Sequence, residues 1–140
     1  MKIKIGIDPD CAKSGVASFF PGTKRLVTEA MPFFDLFDYL RTLRDDDCNH
    51  VTVYIEAGWL NAKSNYHKAS SLHVAECIAK KVGANHETGR KIVEMCNYLG
   101  LYYILIQPTT AKWTKDFCFK VTGQNISNAD CRDAVKLVWE

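Results

Sequence analysis

The segment Lys2-Ile3-Lys4-Ile5-Gly6-Ile7-Asp8 alternates charged and apolar residues, turns apolar, and stops at an acid before Pro9. This pattern suits a β-strand. Residues 15–20 and 24–30 read as two further strands, and Pro21-Gly22 between them is a turn signal, so these two should form a hairpin. Pro32 opens a helix with an apolar stripe of Phe33, Phe34, Phe37, Leu40 and Leu43, closed by Asp45-Asp46-Asp47. Val51–Ile55 is β-branched and aromatic, hence a strand that ends at Glu56.

A long polar loop is expected next. Helices are expected over 70–82 and 87–99, broken by Gly83 and Gly100. Leu101–Ile106 is a continuous apolar run, the pattern of a parallel strand covered on both faces. Pro108 begins a loop or short helix through Phe117. A last helix runs from Ser127 or Asn128 to Glu140, with Ser127 and Asp130 at capping-box spacing. Three antiparallel strands followed by strands reached through right-handed helical crossovers predict an α/β fold. It has a five-stranded mixed sheet with helices on both faces, and residues 1–140 form a single domain.

Composition narrows the class. Hydrophobic residues make up 47% of the 140 and charged residues 24%, which excludes a disordered tail, a collagen-like repeat and a coiled-coil rod. A chain of this length buries about two-thirds of its unfolded surface and needs no staple to fold. No apolar run approaches the roughly 20 residues of a membrane span. The first residues carry no signal-peptide pattern, so a cytoplasmic address and no membrane association are expected. Six cysteines lack zinc-finger spacing and read as reduced, mostly buried small hydrophobes.

The net charge is only +2, but its distribution is uneven. Residues 29–56 hold seven acids against two bases, whereas residues 62–91 hold six bases against two acids. The basic stretch, with Lys63, Lys68, Lys80 and Lys81, is a candidate polyanion-binding face, with a solvated helix surface as the plain alternative.

Functional groups in such sheets collect at the carboxyl ends of central strands. Asp8 and Glu56 sit at two such ends. Asp130 and Asp133, three apart, share one face near the start of the last helix. Singly, each acid has an ordinary reading as a cap, a dipole complement or a solvated side chain. Together they make a cluster that divalent cations would neutralise. Oxygen-only ligands select Mg²⁺ or Mn²⁺, and a pair of such ions is the apparatus of phosphodiester hydrolysis.

These motifs resemble RuvC-type Holliday junction resolvases of the ribonuclease H-like superfamily. The similar stretches are Ile5 to Ala17, Val53-Tyr54-Ile55-Glu56, and Ala129-Asp130-Cys131-Arg132-Asp133-Ala134, in order along nearly the whole chain. The resemblance implies a ribonuclease H-like nuclease fold with Asp8, Glu56, Asp130 and Asp133 as catalytic metal ligands for two Mg²⁺ or Mn²⁺ ions. It implies a base-stacking aromatic at Trp59, a basic residue after the fifth strand at Lys112 that holds the scissile phosphate or stabilises the transition state, and Lys115 nearby as a further DNA contact. Branched DNA, homodimerisation, and roles in recombination and repair follow from it, with helix 87–99 as one candidate interface. A helicase partner is not legible. Departures are Asp10 where the family usually has glycine, a long basic segment from Glu56 to Gly83, and an early end at Glu140, which suggest a divergent member of phage or mobile-element type. The reading from the residues leaves three rivals open: a YqgF-like nuclease acting on RNA, a non-catalytic junction-binding protein of the same fold, and an actin-like phosphotransferase. The last is disfavoured by length.

Overall fold

The computed structural model describes residues 1–61 and 71–140. Five strands form one sheet in the order β3-β2-β1-β4-β5. Their bounds are β1 Lys2–Asp8, β2 Ser14–Phe20, β3 Arg25–Met31, β4 His50–Glu56 and β5 Tyr102–Ile106. The first three are antiparallel neighbours, and β1–β4 and β4–β5 are parallel. The helices are α1 Phe33–Asp45, α2 Leu72–Leu99, α3 Lys115–Thr122 and α4 Ala129–Val138. The expected mixed sheet is therefore present, with helices on both faces.

Because strand side chains alternate, β1 gives two different surfaces. Ile3, Ile5 and Ile7, with Val53 and Ile55 of β4, pack against Leu36 and Leu40 of α1 and Ile92, Cys96 and Leu99 of α2. The other face, with Ala17, Phe19 and Leu26, meets Cys131, Ala134, Val135 and Val138 of α4 and Cys118 of α3.

Several expectations need correction. α2 is one helix of 28 residues, where two were expected. Gly83 does not adopt a positive φ, unlike Gly100 (φ 67°), which does end the helix. A mid-helix glycine costs only about 1 kcal/mol relative to alanine, too little to break a ladder continued on both sides. Lys80 and Lys81 lie on this helix, as expected, while Lys63 and Lys68 lie outside the described residues. The apolar stripe over 87–99 is core: Ile92, Cys96 and Leu99 are buried, so it is not a free interface. β5 is an edge strand with Tyr102 exposed, not a strand covered on both faces. In α1, Leu36 joins Leu40 in the core while Phe34 points outward. Asn128, not Ser127, caps α4, accepting from the Cys131 amide. Three of the six cysteines are exposed (Cys11, Cys48, Cys77), and all six are free. Among the described residues, no helix is long and apolar enough to cross a membrane.

Candidate active site

Asp8 and Glu56 end two adjacent parallel strands. The register Gly6↔Tyr54 and Ile7↔Ile55 carries both acids to the same level, and alternation turns both toward α4. The last helix then has to come close. A Cβ at Gly6 would stand 2.2 Å from the Ala134 carbonyl oxygen, and a Cβ at Gly15 would stand 2.2 Å from the Asp130 carbonyl. Two strand glycines thus let the α4 backbone rest directly on β1 and β2. That contact delivers Asp133 to Asp8 and Glu56: carboxylate oxygens of the three all lie within 4.8 Å of one another.

The electrostatics of this cluster are unfavourable without a cation. Burial, followed by the charges of Glu56, Asp130 and Asp133, pushes Asp8 up to about 9, with Lys112 opposing. Glu56 is also raised, first by burial, with Lys112 and Lys136 pulling it back and Asp133 and Asp130 adding to the rise. Asp130 stands beside the trio; burial and the charges of Asp10 and Asp133 raise it, while a hydrogen bond with Asp8 and the charge of Lys81 oppose. Three carboxylates within ligand distance, two of them raised, fit a hard divalent ion bound by oxygen alone. Asp8, Glu56 and Asp133 would hold it, with Asp130 at the flank.

Lys112 donates to Asp133 Oδ2 at 2.7 Å, and its side chain is 61% exposed against 13% for Asp133. Burial works to lower its pKa, but the hydrogen bond to Asp133 and the charges of Glu56, Asp133 and Asp8 outweigh it and hold it above the usual lysine value. A cleft of about 150 Å³ opens here, lined by Glu56, Pro108, Thr109, Lys112, Asp133 and Lys136 among others.

The remaining candidates are dispersed. Trp59 lies in a 3-10 turn, Gly58–Leu60, with its half-buried ring in a notch over Gly89, where a Cβ would come within 2.3 Å of it. The Arg90 guanidinium stands 5.7 Å from the ring centroid. Lys80 and Lys81 are exposed on α2, and Lys115 is exposed at the start of α3. Asp10 turns into its own loop: its Oδ1 accepts from the Ala12 amide at 2.8 Å, and Asn85 of α2 donates to its Oδ2.

Sequence reasoning missed Lys136, Arg132 and the two contact glycines. Their only signal was position: Lys136 lies three residues after Asp133 on the same helix face, and Gly6 interrupts an otherwise branched strand.

No protein-family model and no curated protein matches the chain by sequence. Among solved structures, its fold matches T. thermophilus RuvC in complex with Holliday junction substrate, with a TM-score of 0.56 over 98% of this chain and 90% of that one. The fold is RuvC-like. Sequence identity is 12%, so the likeness speaks for the ribonuclease H-like architecture, and the chemistry rests on the geometry above.

Proposed function

We propose that this chain is a Mg²⁺- or Mn²⁺-dependent endonuclease that cuts branched DNA, most specifically four-way junctions, as a homodimer. One observation carries the reading: Asp8, Glu56 and Asp133 converge within 4.8 Å at the ends of adjacent parallel strands, with Lys112 on their open side. A pair of ions at Asp8, Glu56, Asp130 and Asp133 would supply an activated water and neutralise the leaving oxygen.

The chain's own residues have distinct parts in this reading. Asp8 is the most desolvated acid, and its burial and acidic neighbours favour its protonated form until a cation takes the proton's place. Lys112, tied to Asp133, is placed to turn its ammonium toward a phosphate oxygen once a cation takes that carboxylate. Trp59, set against Gly89 with the Arg90 guanidinium near its ring, would serve as an anchored aromatic for an unpaired base. Lys80, Lys81 and Lys115 meet the phosphate backbone, together with Lys63 and Lys68. Paired nicks across a four-way junction call for two sites related by a two-fold axis, which a C₂ dimer supplies.

The test is a labelled four-way DNA junction incubated with the protein with and without Mg²⁺, beside a structured RNA. Symmetric Mg²⁺-dependent nicks in the junction are expected. Cleavage confined to RNA would move the assignment to an RNA nuclease, and metal-independent binding without cleavage would make it a junction-binding protein.

A further inference from the structure

The segment between β5 and α3 carries Lys112 yet has little structure of its own. Among the described residues, no backbone-to-backbone hydrogen bond holds residues 107–113. Two cations of α4 grip it instead. Lys136 Nζ donates to Thr109 Oγ1 at 2.7 Å and to the Ala111 carbonyl. Arg132 Nε donates to the Trp113 carbonyl at 3.1 Å, while its Nη1 holds the Ile126 and Ser127 carbonyls. The peptide carbonyls on either side of Lys112 are therefore each bound by a half-buried cation, and the Lys112 side chain itself reaches Asp133, which lies between those two cations in sequence.

From this juxtaposition we propose that Lys136 and Arg132 are positioning residues, a two-cation clamp that fixes the Lys112 backbone over the acid cluster. The inference rests on the nuclease reading for its catalytic part and deepens it. A lysine on a four-carbon stem has many rotamers, and an unsupported loop beneath it would add more. Charge-assisted bonds to both flanking carbonyls remove that second freedom. The arrangement matters most when a cation occupies Asp133 and the Lys112–Asp133 bond is lost. The clamp still holds the backbone, so the ammonium stays beside the cleft rather than swinging into solvent.

Lys136 is the cleaner member to test, because Arg132 also holds the segment that leads into α4. Lys136→Met keeps the stem and removes the charge; Lys136→Arg restores a donor; Thr109→Val removes one acceptor and serves if Lys136→Met does not fold. The first readout needs no metal and no DNA. In the metal-free protein, backbone amide ¹⁵N order parameters of 109–114 should fall from about 0.85 toward about 0.6 in Lys136→Met, with β1 and β4 unchanged, and Lys136→Arg should recover most of the order. The second is single-turnover junction cleavage at saturating protein. Lys136→Met should slow it by up to roughly 10²-fold, the scale of a small misplacement, with junction affinity within about twofold. In a Lys112→Met background the same change should add nothing, because Lys136 acts through Lys112. Unchanged order parameters would overturn the clamp. So would a loss of affinity in place of rate, or independent, multiplying effects of the two lysine variants, since either makes Lys136 a direct phosphate contact. If the wild-type protein cuts no junction, the nuclease reading fails while the order parameters still decide whether the clamp exists.

Discussion

The two faces of the central strand β1 obey opposite rules. On one face Ile3, Ile5 and Ile7 fill a closed apolar layer against α1 and α2. On the other, Lys4, Gly6 and Asp8 face α4, and Gly6 has given up its side chain so that a helix backbone can touch the sheet. The first face has the chemistry of stability: interchangeable branched side chains, fully desolvated. The second keeps small residues and half-buried acids in a place where apolar side chains would have packed better. The cost of burying Asp8 is visible in its rise to about 9. Such a departure from optimal packing marks the face on which function was built.

Substitutions can break this contrast at its strongest point first. Asp8→Asn or Glu56→Gln should reduce junction cleavage by roughly 10³-fold or more, the upper range for losing one electrostatic group at a reaction centre. Junction binding should persist or tighten, measured by mobility shift in Ca²⁺. Cleavage at near the wild-type rate would remove either acid from the site. Ile5→Val on the opposite face is the matched control: it should cost about 0.5–1.5 kcal/mol in thermal unfolding and leave cleavage unchanged.

The next effect should come from Gly15→Ala. Its methyl would collide with the Asp130 carbonyl backbone, so α4 has to move and the acids with it. Overpacking of this kind typically costs about 1–3 kcal/mol. Cleavage should fall by roughly 10²-fold, because misplacing reacting groups by about 1 Å costs that much. A variant that melts lower yet cuts normally would show that the close approach of α4 is structural alone.

Trp59→Ala sharpens the contrast between fold and substrate contact. Loss of one stacked base should slow cleavage of an intact junction roughly 5- to 150-fold, and slow it much less when the centre is already open. Trp59 also fills the notch at Gly89, so the variant should melt lower. Equal losses on both substrates would assign the ring to packing only. The smallest effect should be that of Lys80→Gln with Lys81→Gln. Each lost phosphate contact should lower the slope of log affinity against log salt by about 0.9. An unchanged slope would make that stretch of α2 an ordinary solvated surface.

How much of this was legible depended on whether the signal was local. β1 was read to the residue, and the other strands to within one or two, because alternation and apolar runs are properties of a few neighbouring residues. Asp8, Glu56 and Asp133 were legible because they fall at strand ends or at helical spacing. Gly83 misled because a breaker in isolation is tolerated inside a helix anchored at its far end by Ile92, Cys96 and Leu99. Asp10 stands where the family usually has glycine, and its carboxylate is engaged locally by the Asx turn to Ala12, which the sequence left open. The roles of Gly6, Gly15, Arg132 and Lys136 depend on what arrives from more than a hundred residues away, or from a loop with no periodicity, and neither leaves a local pattern.

The central claim is that the half-buried acids are held together for a cation, and thermal melting against pH tests it most directly. Asp8, Glu56 and Asp130 all have pKa values raised above their unfolded values. The folded protein therefore retains protons that the unfolded chain releases, and stability falls as pH climbs from the ordinary carboxylate range, 3.8 for Asp8, toward about 9. Lys112, raised in the folded state, keeps its contribution throughout that window and loses it only above it. Without divalent ions, the wild-type Tm should decline from pH 5 to pH 9, and Asp8→Asn should flatten most of the decline. Adding Mn²⁺ or Mg²⁺ should restore the wild-type Tm at pH 8–9 and leave Asp8→Asn nearly unmoved. A wild-type profile that is flat without metal, or a metal-induced rise of equal size in Asp8→Asn, would contradict the account.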